Sequence, residues 1–324
     1  MSVSEAAPGL TGAAVSSTAG AASWRDYVAL LKPRVMSLVV FTAVTGLFCA
    51  GVPMHPVTAA VSILCIAVGA GAAGALNMAF DADIDAIMRR TRSRPVAAGR
   101  ILPAEAYGFG VALSLISVLL MSLAANALAA GLLAFTIVFY ALVYTVWLKR
   151  STPQNIVIGG AAGALPPVIG WAAVSGDAPW QAWLLFALIF LWTPPHFWAL
   201  SLYASEDYAR AKVPMLPVIK GAKATRLQIL LYSLALVPVG MSPAFVGLGG
   251  PIYLAVSTAG GAMFLLLAWR VFTSRAGETD ARGEGIYDAK VEARHARNLF
   301  AFSILYLFGL FAALLGERVW MVLS

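Results

Sequence analysis

A chain of 324 residues that is 60% hydrophobic and only 11% charged, with a mean hydropathy of +0.83, lies far outside the composition of soluble globular domains. This excludes a water-soluble enzyme and implies a polytopic, all-α membrane protein. The two cysteines, Cys49 and Cys65, fall inside apolar runs, which argues against a disulfide framework or a zinc cluster.

In chain order, the first 23 residues are rich in Ala, Ser and Gly and lack the basic-then-apolar pattern of a signal peptide. They read as a disordered tail ahead of one transmembrane domain over 24–324. Nine apolar segments of about the length needed to cross a bilayer as helix follow. They run from Val35 to Ala50, Val57 to Phe80, Ala104 to Ala124, Leu128 to Leu148, Ile156 to Val174, Trp180 to Tyr203, Leu227 to Val246, Ile252 to Trp269 and Leu299 to Gly316.

Basic residues fall in the N-terminal flank (Arg25, Lys32, Arg34) and then only in alternate loops, so 21 of the 22 share one side and Arg318 alone lies opposite. The positive-inside rule places the N-terminus in the cytoplasm and the C-terminus outside, which an odd number of spans satisfies. The net charge of +7 is therefore a topology signal, and no nucleic-acid partner is needed to explain it.

The second segment ends in "ALNMAFDADIDAIMRRTRSRPVAAGR", which concentrates three aspartates and five arginines. Asn77, Asp81 and Asp85 are spaced i, i+4, i+8 and line one helical stripe about 12 Å long. Asp83 points elsewhere, to solvent or a loop arginine. One amide and two carboxylates are hard-oxygen donors that suit Mg²⁺ rather than zinc or copper. Mg²⁺ held by so few protein ligands keeps positions for phosphate oxygens, and Arg89, Arg90, Arg92 and Arg94 follow to neutralise the remainder. Acid, metal and base together describe a diphosphate site; the competing reading is a set of caps and salt bridges in an interfacial loop. Lys149 and Arg150, ending the fourth segment, stand where they could reach a phosphate or serve only as topology charges.

Asn77, Asp81, Ile84, Asp85, Met88, Arg90, Thr91, Arg94 and Gly99 resemble, in register, the first motif of the UbiA superfamily of intramembrane prenyltransferases. The resemblance implies a helical bundle with two pseudo-repeated halves and Mg²⁺-assisted departure of diphosphate from an allylic isoprenoid. A second stretch, "LWTPPHFWALSLYASEDYARAKVPMLPVIKG", repeats the order of parts: membrane helix, Glu206 and Asp207, then Arg210, Lys212, Lys220 and Lys223. Tyr203 stands four before Asp207, where the superfamily often has an aspartate, so the second motif is reduced.

Pro194, Pro195, His196, Phe197 and Trp198, with Glu206, Asp207, Tyr208 and the run from Pro214 to Pro217, are similar to the heme-farnesylating branch of that superfamily. So are "LLKPRVMSLVVFTAVTG" and "NIVIGGAAGALPPVIGW". This implies farnesyl diphosphate as donor, heme b as acceptor, a bacterial inner-membrane location, and a heme-modifying or oxidase-assembly protein as partner. On that reading Asn77, Asp81 and Asp85 hold the metal and Asp207 adds a metal or base contact. Arg90, Arg94, Lys149 and Lys212 bind the diphosphate, while His196 and Tyr208 face the acceptor. A histidine beside Phe and Trp at a helix end also suits the interfacial aromatic belt. Pro194 with Pro195, and Pro166 with Pro167, are expected to break their helices and free backbone carbonyls. Phe80, Tyr140, Tyr144 and Trp171 are candidates for shielding a carbocation. The rivals are a quinone-pathway aromatic prenyltransferase and an ion- or proton-coupled transporter.

Overall fold

The structure, a computed structural model, describes residues 22–53, 55–278 and 289–323. The expected disordered tail therefore lies almost wholly outside the described residues. Among those described, the regular elements are all helical. In order they are α1 (Trp24–Leu30), α2 (Pro33–Cys49), α3 (Pro56–Phe80), α4 (Ala82–Ile87), α5 (Pro103–Ala124) and α6 (Ala127–Val138). A π-helical segment (Phe139–Leu148) and the single turn α7 (Lys149–Ser151) continue α6 as one rod. Then come α8 (Asn155–Ala164), α9 (Pro166–Ser175), α10 (Trp180–Tyr203), α11 (Ser205–Arg210), α12 (Leu216–Ile219) and α13 (Gly221–Met241). A short 3₁₀ turn (Ser242–Ala244), α14 (Pro251–Thr273) and α15 (Ala289–Leu323) complete the order.

Among the described residues eight helices are long and apolar enough to span a bilayer, and α1 with α2, bent by 50°, makes a ninth. All nine segments read from the sequence are present. Pro at the first turn starts α2, α3, α5, α9 and α14, where its missing N–H costs no helical hydrogen bond. The bundle has two main apolar cores, one among α2, α3, α5, α6 and α9, the other among α10, α13, α14 and α15. Each half also sends one long helix into a short acidic one: α3 breaks at Asp81 into the six-residue α4, and α10 breaks at Ala204 into the six-residue α11.

Within the first core the packing is unusually tight where α2 meets α9. A Cβ on Gly46 would overlap the backbone of Pro167, and one on Gly170 would overlap that of Ala43, so glycine is required on both helices. The proline expectations divide. The chain does break before Pro166, separating α8 from α9. At Pro194 and Pro195 the expectation is corrected: α10 runs through both as one 24-residue helix. The carbonyls of Phe190 and Leu191 lose their i+4 donors there, but burial of both prolines in the second core holds the helix together.

Candidate active site

Asn77, Asp81 and Asp85 are buried at 3%, 0% and 2% exposure, which is where carboxylates must be compensated. Although Asp81 interrupts α3, its N–H still bonds the Asn77 carbonyl at 3.0 Å and its carbonyl accepts from Asp85 N–H at 2.8 Å. The i, i+4, i+8 register is therefore kept across the break. Asn77 Nδ2 donates to Asp81 Oδ2 at 2.6 Å and to Thr145 Oγ1 at 3.2 Å.

Each member of the stripe meets a cation or a partner of one. Lys32 Nζ donates to Asn77 Oδ1 at 2.7 Å, Lys149 pairs with Asp81 Oδ2, and Arg94 pairs with Asp85 Oδ2 at 2.7 Å. Lysine on one side and carboxylate on the other fix the orientation of the Asn77 amide. Among the described residues none donates a hydrogen bond to Asp81 Oδ1, and Arg150 stands 3.9 Å from it. Arg150 instead makes a bidentate pair with Asp83 at 2.7 and 2.9 Å and covers the Phe80 ring at 4.9 Å. Asp83 thus meets an arginine, but from the end of the fourth segment and not from the following loop. That guanidinium holds the Asp83 carboxyl below its ordinary range.

The π-helical segment shapes the next wall. Its wider turn lets Thr145 Oγ1 donate to the Tyr140 carbonyl, five residues back, at 2.8 Å while receiving Asn77. Tyr140 and Tyr144 stack at 5.2 Å, and Gly159 leaves the room that the Tyr144 ring fills. Beside them the Arg90 guanidinium stands close enough to the Tyr208 hydroxyl to act on it electrostatically. Burial is the main cause raising the Tyr208 phenol above its ordinary range, so it keeps its proton at neutral pH. Tyr208 packs with Ile84, Met88 and Ile156, which joins the second acidic loop to the first.

The remaining expected residues make no hydrogen bond or ion pair with the stripe among the described residues. Asp207 is paired with Arg210. Lys212 lines a groove of about 320 Å³ with Asp83, Arg150 and Arg210. His196 is buried between Trp192 and Phe300, with ring centroids 4.3 and 4.6 Å away, and its Nδ1 meets Ser303 Oγ at 2.6 Å. Phe300 also packs on Tyr203, at 6.1 Å. Trp171 lies at the far end of the bundle, and Phe80 is covered by Arg150, which leaves Tyr140 and Tyr144 as the aromatic wall.

Sequence reasoning missed Lys32 as a site residue and Thr145 altogether. Lys32 and Lys212 are the two non-glycine residues with positive φ among those described, at 50° and 53°. For Lys32, directly before Pro33, such a backbone costs about 1–3 kcal/mol and persists because its contacts overdetermine it. The signal was the Lys-Pro-Arg run itself, which charge counting had absorbed.

A metal fits this donor set. An unpartnered, fully buried carboxylate oxygen beside an amide and a second carboxylate is a hard-oxygen cradle. No group of three or more His, Cys, Asp or Glu gathers among the described residues, so phosphate and water must complete the shell of any ion held there.

The UbiA prenyltransferase family model matches residues 39–284. A protoheme IX farnesyltransferase of Caulobacter vibrioides is 67% identical over 306 residues, covering 92% of each chain. One of Maricaulis maris is 62% identical over 298 residues, covering 92% of this chain and 90% of the relative. Among solved structures, a UbiA homolog from Aeropyrum pernix K1 superposes with a TM-score of 0.67 at 19% identity, covering 90% of this chain and 98% of that one. A UbiA homolog from Archaeoglobus fulgidus bound to GPP and Mg²⁺ gives 0.63 at 17% identity, covering 89% and 99%. Motif, bundle and relatives agree: the chain belongs to the UbiA prenyltransferase family and, within it, to the protoheme IX farnesyltransferases.

Proposed function

We propose that the cluster on Asn77, Asp81 and Asp85 is where farnesyl diphosphate is ionised so that its prenyl chain passes to a vinyl group of heme b. The observation that carries this reading is a buried acidic stripe, with one carboxylate oxygen unsatisfied, ringed by Lys32, Lys149, Arg94 and Arg150. Asn77 Oδ1, Asp81 and Asp85 would hold Mg²⁺. When bound, Mg²⁺ supplies Lewis acidity to the diphosphate oxygens as the allylic C–O bond lengthens.

The protein's own groups do the rest. Lys32 and Lys149 neutralise the stripe and stand ready to bind phosphate oxygens; Arg94 and Arg90 do so from the loop that follows α4. Because negative charge grows on the leaving oxygen during cleavage, these cations lower the barrier more than they tighten ground-state binding. The C–O bond breaks with its electron pair leaving on diphosphate. Tyr140 and Tyr144 offer π faces to the allylic cation and exclude water. The terminal vinyl carbon then forms the new C–C bond, and water adds to the carbon beside the porphyrin ring, losing one proton and leaving a hydroxyethylfarnesyl group.

Tyr208, protonated and packed with Ile84 and Met88, borders the acceptor side, and Asp207 holds Arg210 in the second loop. His196 has Nδ1 committed to Ser303, so any bond to heme iron falls to Nε2. We place the N-terminus in the cytoplasm and the C-terminus outside, in a bacterial inner membrane, on the distribution of basic residues.

The test is incubation of purified protein with farnesyl diphosphate, Mg²⁺ and either heme b or 4-hydroxybenzoate, followed by product mass. Addition of a farnesyl group and a hydroxyl group to heme alone is expected. Prenylation of 4-hydroxybenzoate alone would move the reading to the quinone pathway.

A further inference from the structure

At the end of the bundle opposite the acidic stripe, about 36 Å away by the length of a 24-residue helix, a second polar site opens. A cavity of about 490 Å³ lies between the ends of α2, α9 and α15, the start of α10, and the α13–α14 connection. Ser175, Asp177, Gln181 and Arg318 line it together with Trp171 and Leu248. Arg318 is the lone basic residue that the alternation of loops puts on this side.

Arg318 is held in place by backbone and not by an acid. Its Nε donates to the Leu248 carbonyl at 3.1 Å and a terminal nitrogen donates to the Gly247 carbonyl at 2.5 Å. The neighbouring acid, Glu317, is committed to the N–H groups of Gly250, Ile252 and Tyr253. Among the described residues the Asp177 carboxylate accepts only from the Ala178 N–H, at 2.7 Å, while its backbone carbonyl accepts from Ser175 Oγ at 2.9 Å. Among the described residues, neither Arg318 nor Asp177 takes part in an ion pair. One cavity therefore presents an anchored guanidinium and a carboxylate, unpaired with each other.

Two further observations select the occupant. Trp180, Phe245 and Trp320 lie within two residues of cavity-lining positions in the chain and are 59%, 71% and 73% exposed, as aromatic side chains at the water–membrane boundary are. The cavity therefore sits at head-group depth. A purely anionic head group would satisfy Arg318 but be repelled by Asp177, whereas a phosphate diester carrying a primary ammonium matches both charges.

We propose that this cavity is a head-group site for a zwitterionic aminophospholipid, with phosphate on Arg318 and ammonium at Asp177. The test uses the purified full chain in detergent, titrated separately with phosphatidylethanolamine, phosphatidylglycerol and free phosphoethanolamine, with bound species counted by native mass spectrometry. Wild type is expected to retain phosphatidylethanolamine about tenfold more tightly than phosphatidylglycerol, the size of one well-formed ionic contact. Asp177→Asn removes that preference, and Arg318→Gln weakens both lipids, while prenyl transfer is unchanged. Should Arg318→Gln fail to fold for want of its two carbonyl contacts, Asp177→Asn decides the matter alone. Equal retention of the two lipids by wild type, or an unaltered preference in Asp177→Asn, overturns the site. Free phosphoethanolamine binding as tightly as the lipid overturns the assignment to a lipid.

Discussion

At the scale of single residues, the acidic stripe is legible in the sequence because i+4 spacing survives folding, even through the break at Asp81. Asp81→Asn is expected to lower prenyl transfer by at least about a hundredfold, the usual cost of removing one preorganised electrostatic group. An unchanged melting temperature would show that the loss is chemical. Lys32 was not legible in the same way, since its meeting with Asn77 joins helices 45 residues apart and leaves no periodic trace. Lys32→Gln keeps a hydrogen-bond donor for Asn77 and removes the charge. Its expected effect is about tenfold to a hundredfold in kcat, with a smaller change in KM for farnesyl diphosphate. The pair Arg150–Asp83 should matter less, because the Asp83 side chain is 64% exposed. Its carboxyl is held below the ordinary range, so any stability it adds is complete above pH 4, where the unfolded group is ionised. That contribution disappears only as pH falls through the lowered value, so Asp83→Asn should lower the melting temperature by the same small amount at every pH between 5 and 8, the difference closing only at lower pH. For His196, the heme spectrum is the direct readout. His196→Ala is expected to shift the Soret band of bound heme; an unmoved band would make the imidazole a packing residue between Trp192 and Phe300.

At the scale of elements, apolar length, Pro starts and charge alternation expose every span, because bilayer thickness and backbone hydrogen bonding leave a membrane helix few alternatives. Helix continuity is harder to read. A paired proline breaks the chain before Pro166 but not at Pro194 and Pro195, where packing on the second core overrides the local preference. The π-helical turn over Phe139–Leu148 is hidden for a different reason: its residues are as apolar as any α-helical span, and only the contact of Thr145 with Asn77 marks it. Thr145→Val should therefore lose about thirtyfold in kcat, through two hydrogen bonds of about 1 kcal/mol each, while the protein remains inserted. Close approach gives the sharpest contrast. Gly46→Val, forced against Pro167, is expected to destabilise by about 1–3 kcal/mol or more. Gly131→Ala, with open space around its Cβ position, should be neutral or raise stability by up to about 1 kcal/mol. Thermal melting in detergent distinguishes the two.

At the scale of the molecule, the two halves present comparable parts with unequal chemistry. Both send a long helix into a six-residue acidic one, but the first ends on a buried amide and two carboxylates while the second ends on Asp207 engaged by Arg210. This inequality was visible at Tyr203, which occupies the position where a second-motif aspartate would stand. Sequence could not show that the second loop is nevertheless joined to the first site through the packing of Tyr208 with Ile84 and Met88. Nor do the apolar spans measure a 15-carbon donor, so farnesyl as the prenyl group rests on family membership. Prenyl transfer in this account depends on one event, metal-assisted departure of diphosphate at Asp81 and Asp85. The direct measurement is diphosphate released from farnesyl diphosphate by purified protein with heme b, as Mg²⁺ is removed by chelation and restored. Wild type should release diphosphate only when Mg²⁺ is present, and Asp81→Asn and Asp85→Asn should not release it at any Mg²⁺ concentration. Release by either variant at the wild-type rate, or by wild type freed of divalent cations, would contradict the account.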